Sequence, residues 1–90
     1  MIIIKFYGYY REALNLEEVE VKDVKTLKEA FEKLKKLLRE KSDILFEEGD
    51  ILKKNLLLAV NNTIVKSDDL ENEKIFDGDI ISIMPLPSGG

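Results

Sequence analysis

The sequence predicts an α+β fold, a mixed sheet of four to five strands with one main helix packed on one face. Three observations lead there: short apolar alternations near both ends of the chain, one strongly amphipathic helix between them, and a length of 90 residues that holds a single core.

The elements follow in order. Residues Ile2 to Tyr7 alternate, with Ile2, Ile4 and Phe6 on one face and Ile3, Lys5 and Tyr7 on the other. Gly8 stops the run. Glu18 to Lys22 form a second strand with Val19 and Val21 inward, and its closeness to the first suggests an antiparallel pair. Thr26 and Glu29 make a capping box, in which each side chain satisfies a backbone donor that the first helical turn leaves free. Leu27, Ala30, Phe31, Leu34, Leu37 and Leu38 then recur at three- and four-residue steps as one apolar stripe. Lys28, Glu32, Lys35, Lys36 and Arg39 occupy the opposite face, and the helix is expected to end near Ser42-Asp43.

Residues 44–55 show no clear period, and Gly49 marks a turn within them. The apolar run Leu56 to Val60, Asn61-Asn62 and Thr63 to Val65 read as a tight hairpin, since asparagine tolerates the positive φ of a type I′ turn. Leu70, Ile75 and Phe76 are expected to plug the bottom of the core. Asp77-Gly78-Asp79 is a turn, and Ile80 to Met84 is the last strand. A right-handed crossover through the helix would set that strand beside the first, which is the β-grasp arrangement. The domain is placed at residues 1–84 and an extended tail at 85–90. If Ile2, Ile4, Phe6, Ile81 and Ile83 face the helix, then Ile3, Tyr7, Ile80 and Met84 face away. So large an apolar face asks for a partner, unless the loop at 44–55 covers part of it.

Composition narrows the function. Net charge is -4 with both signs interspersed, which argues against a nucleic-acid partner, because phosphate contacts demand a basic excess. No apolar run approaches a membrane span and the first residues read as strand rather than leader, so a cytoplasmic protein with no membrane partner is expected. There is no cysteine and no histidine, hence no thiolate nucleophile and no zinc-thiolate site. Asp77 and Asp79 lack the alternating ligands of a calcium loop and read as turn formers.

The tail is the most specific feature. Pro85-Leu86-Pro87-Ser88-Gly89-Gly90 has two fixed φ angles and two missing amide donors, so it leaves the last strand extended. Six residues reach at most ~20 Å, enough to carry a terminal carboxylate into another protein's cleft. Gly89 and Gly90 have no side chains to block a narrow channel.

With these pieces together, the chain resembles the ubiquitin-like sulfur carriers, and within them the small subunits of molybdopterin synthase. The resemblance rests on Phe6-Tyr7-Gly8-Tyr9-Tyr10-Arg11-Glu12, on Leu58-Ala59-Val60-Asn61-Asn62-Thr63-Ile64-Val65, and on Asp77-Gly78-Asp79 leading through a strand and prolines to Ser88-Gly89-Gly90. It implies a carrier rather than an enzyme, with no stably bound cofactor. An activating enzyme would use ATP to adenylate the Gly90 carboxylate, and a sulfur donor would convert it to a thiocarboxylate. The large catalytic subunit would then receive the sulfur while building the molybdenum cofactor. The resemblance also implies that Tyr7, Ile64 and Met84 contact that subunit, with Pro85, Leu86, Pro87 and Ser88 lying in its cleft. Two alternatives share the tail: conjugation of Gly90 to lysines as a protein modifier, and sulfur delivery to thiamine or to tRNA thiolation.

Overall fold

Alternation along β1 (Ile2–Phe6) puts Ile2, Ile4 and Phe6 on one side, and all three are buried. The computed structural model describes residues 1–49, 51–66, 68 and 70–87. The chain runs through β1, α1 (Tyr9–Leu14), β2 (Glu18–Val21), α2 (Leu27–Leu38), a 3₁₀ helix (Arg39–Ile44), β3 (Leu56–Val60), β4 (Thr63–Val65) and β5 (Ile80–Pro85). The strands form one sheet in the order β2-β1-β5-β3-β4.

Register carries the inward residues across the sheet. Val21 and Val19 of β2 face Ile2 and Ile4 in an antiparallel pair. Parallel pairing of β5 with β1 aligns Ile81 with Ile4 and Ile83 with Phe6, so the last strand lies beside the first. Leu58 of β3 meets Ile83 on one side and Val65 of β4 on the other. The five strands, mixed in direction with a helix on one face, are the expected β-grasp fold.

Helix α2 starts where the capping box placed it. The Glu29 amide donates to Thr26 Oγ1 at 3.2 Å, and the Glu29 carboxylate accepts from the Lys25 amide, one residue before the cap, at 2.6 Å. Leu27, Ala30, Phe31, Leu34 and Leu38 are buried against the sheet. Leu37 departs from the predicted stripe and is 56% exposed. At 100° per residue it lies about 80° from the stripe's centre, beyond the strip of helix that the sheet covers. The α-helix also ends earlier than expected, at Leu38, because Arg39 takes a φ of 53° and the chain tightens into the 3₁₀ turn.

Three further expectations are corrected. Phe76 is 67% exposed rather than a core plug, whereas Ile75 is buried and Leu70 packs against the core. Of the two hairpin residues only Asn61 has positive φ, so the turn is not type I′. Asn61 is instead tied to the start of β5: its Oδ1 accepts from the Ile80 amide and its Nδ2 donates to Asp79 Oδ1, both at 3.1 Å. Within the segment 44–55, Leu45, Phe46 and Leu52 are core residues rather than a cover for the outer face. Phe46 pairs across an antiparallel bridge with Leu52, both are buried, and the Phe46 ring meets Phe31 of α2 edge-on at 6.3 Å.

The Asp77-Gly78-Asp79 segment is a turn as predicted. Asp79 Oδ2 accepts from the Phe76 amide at 2.8 Å, Gly78 takes a φ of 92°, and its amide donates to the Met1 carbonyl at 2.9 Å. Asp77 pairs with the Met1 amine.

Candidate functional site at the root of the tail

The outer face of the sheet is built by the strand positions that alternation turns away from α2. Across its middle row the register runs Glu18, Lys5, Ser82, Ala59, Ile64. One step toward the tail, Met84 pairs with Leu57, and Ile64 lies diagonally opposite Leu57. Tyr7 follows Phe6, the partner of Ile83, and so comes level with Met84. Tyr7, Met84 and Ile64 are therefore brought into one band, completed by Leu57. Tyr7 is 41% and Ile64 64% exposed, while Met84 and Leu57 are half-buried.

Charge is distributed unevenly around this band. Glu18 and Glu20 stand exposed on the β2 edge. On the other side, Lys54 and Lys66 line a groove with Leu57 and Ile64, and Asp68 adds one carboxylate. Apolar surface between charged margins suits a protein partner better than a small ligand.

The tail leaves from the end of this band. Pro85 closes β5 opposite Leu56, and Leu86 and Pro87 beyond it are exposed. A proline at the last ladder position removes a donor where the pairing stops anyway. Ser88, Gly89 and Gly90 lie outside the described residues.

Sequence reasoning overlooked what surrounds Pro85. Helix α1 is six residues long, too short for a period of 3.6 to announce itself. It buries Tyr10 and Leu14 and begins at Gly8, where the backbone turns with φ 56° and ψ −128°. The Tyr10 hydroxyl donates to the Asn55 carbonyl at 3.3 Å, fixing the residue before β3. Burial, with Tyr9 adding to it, pushes the Tyr10 phenol above its ordinary value of 10.0. The Tyr7 amide donates to the Ile83 carbonyl at 3.0 Å. Thus the β1–α1 turn and the start of β3 flank the tail's root from two sides. Leu57 was missed for a different reason: Leu56 to Val60 is apolar throughout, so alternation cannot show which residues face out.

Among the described residues no three His, Cys, Asp or Glu side chains converge on a possible metal position. None of them is a buried polar side chain lacking a partner. No helix is long and apolar enough to cross a membrane.

Comparison with known proteins agrees with this geometry. The fold matches the Amycolatopsis orientalis BexX/CysO complex over 100% of both chains, with TM-score 0.75 and 21% identity. It matches small archaeal modifier protein 1 from Methanosarcina acetivorans over 99% of this chain and 95% of that one, with TM-score 0.75 and 25% identity. Subunit 1 and 2 of molybdopterin-converting factor from Helicobacter pylori form a complex in which the matching chain is 26% identical, with TM-score 0.63 and coverage of 99% and 97%. A search of the curated proteins finds no significant match. The ThiS family profile matches residues 4–90, essentially the whole fold together with the tail. The chain belongs to the ThiS family and is a ubiquitin-like sulfur carrier.

Proposed function

We propose that the chain is the small, sulfur-carrying subunit of a molybdopterin synthase, with Gly90 as its reacting residue. The observation that carries this reading is the full-length match, at 26% identity, to the molybdopterin-converting factor complex of Helicobacter pylori. In the proposed cycle an oxygen of the Gly90 carboxylate attacks the α-phosphorus of ATP on an activating enzyme, and pyrophosphate leaves. The acyl adenylate is a mixed anhydride, so a sulfur donor can add to its carbonyl and expel AMP. Inside the large subunit the thiocarboxylate sulfur bonds to the substrate, and water then cleaves the acyl carbon–sulfur bond, which leaves the sulfur on the substrate and regenerates the carboxylate. The carrier's own residues hold and present. Tyr7, Leu57, Ile64 and Met84 dock on the partner, while Pro85, Leu86, Pro87 and Ser88 carry Gly89 and Gly90 into its cleft. Acid and base groups come from the partner.

The test is an intact-mass measurement after incubation with ATP, an activating enzyme and a sulfur source. An oxygen-to-sulfur mass gain located at Gly90 is expected, along with transfer of that sulfur when the large subunit and its pterin substrate are added. No gain in the presence of an enzyme active on another carrier would overturn the proposal.

A second reading is favoured by the match to the archaeal modifier protein, at 25% identity and the higher TM-score of the two. In it a lysine amine attacks the same adenylate and forms an isopeptide bond. Ser88-Gly89-Gly90 remnants on cellular lysines would support that outcome.

A further inference from the structure

The root of the tail contains one residue that docking and activation leave unexplained. Gly8 has φ 56° and ψ −128°, a backbone combination that glycine takes freely and that an L side chain takes only under strain, as Arg39 does at φ 53° and ψ −119°. A Cβ placed on Gly8 would stand 3.1 Å from Pro85 Cγ and 3.3 Å from Pro85 Cδ. A side chain at residue 8 would thus press on the exposed Pro85 ring more closely than ordinary van der Waals contact allows, and the ring would have to give way. Leu56 of β3 is the backbone partner of Pro85, and the Tyr10 hydroxyl holds the neighbouring Asn55 carbonyl. The bond from the Tyr7 amide to the Ile83 carbonyl keeps the Gly8 turn against β5.

We propose that Gly8 is a positioning residue for the tail. By carrying no side chain it seats the Pro85 ring against the β1–α1 turn, and that seat sets the direction in which Leu86 and Pro87 leave the sheet. The proposal rests on the reading of Gly90 as the activated carboxylate, because only then does the direction of exit matter. A tail already aimed at the partner's cleft gives up less conformational freedom on entry, and that shows as tighter productive binding.

The chain has no cysteine, so two introduced cysteines take spin labels without background. Labels at Leu86→Cys and at Lys36→Cys on the exposed face of α2 report the direction of the tail by electron–electron distance measurement. Gly8→Ala is expected to shift or broaden that distance, whereas adding Gly8→Ala to a chain that already carries Pro85→Ala is expected to change the distance little further, since the new methyl then meets no ring. An unchanged distance in Gly8→Ala overturns the proposal. So does an equal change in both backgrounds, which would trace the effect to backbone strain alone.

Should Gly8→Ala fail to fold, Pro85→Ala with Gly8 retained decides the matter. A broadened distance supports the seat, and one as narrow as the parent overturns it. With ATP and an activating enzyme, Gly8→Ala is expected to raise KM for the carrier about threefold or more while kcat at saturation holds. A fall in kcat with KM unchanged also overturns the proposal. If no activating enzyme adenylates even the parent chain, the reading of Gly90 fails, and the label distances still decide whether Gly8 seats Pro85.

Discussion

Replacing Ile64 by threonine separates docking from folding. Ile64 lies on β4 with 64% of its surface exposed, and it contributes little to the core. Threonine keeps the branched Cβ that a strand favours, so folding stability should change by less than about 0.5 kcal/mol. On the docking face proposed above, the same substitution removes the equivalent of two methylene groups buried in the complex. At ~0.8 kcal/mol each, that is roughly 1.5 kcal/mol of docking free energy, or about a tenfold rise in Kd. The assay is titration calorimetry with the large subunit of molybdopterin synthase, paired with thermal unfolding of the carrier alone. Ile4→Ala is the contrast: Ile4 is 0% exposed, so truncation should cost about 2–5 kcal/mol of folding stability. The reasoning is refuted if Ile64→Thr leaves Kd unchanged, or if it lowers the melting temperature as Ile4→Ala does.

Three other outcomes follow from the structure. Thr26→Ala removes the oxygen that accepts from the Glu29 amide, and should lower stability by about 1 kcal/mol, read as a melting shift of about 4–8 °C. Asp79→Ala frees the Phe76 amide and loosens Asn61 at the hairpin, so hydrogen exchange should quicken at Phe76 and Ile80 with little change in α2. Tyr10 supplies a pH signature. Its phenol is raised in the folded chain, so its contribution to stability is complete below the ordinary value of 10.0 and is lost as pH rises through the higher folded value. Tyr10→Phe should therefore flatten the alkaline limb of a stability–pH curve, and an identical limb in both proteins would count against the assignment.

Much of the fold was legible because local signals agreed with one another. The capping box at Thr26 and Glu29, the alternation in β1 and the turn at Asp77-Gly78-Asp79 each specify backbone through residues close in sequence. The stripe on α2 was legible except at Leu37, whose exposure depends on how wide a strip the sheet covers. Phe76 shows the same limit. Its apolarity says nothing of whether a neighbour lies over it, and none does so fully.

The candidate site divides along the same line. By itself the sequence determined the parts that are local: a proline that closes the last strand, and the outward places of Tyr7 and Met84 by alternation. Only the tertiary structure decided that Tyr7, Met84, Leu57 and Ile64 form one band, because that depends on register among four strands, of which the directly paired β1 and β5 stand near opposite ends of the chain. Only it set Gly8 against Pro85, 77 residues apart by their numbers. The physical reason is that dihedral preference and side-chain period act over a few residues, whereas contact between strands is chosen by the packing of the whole core.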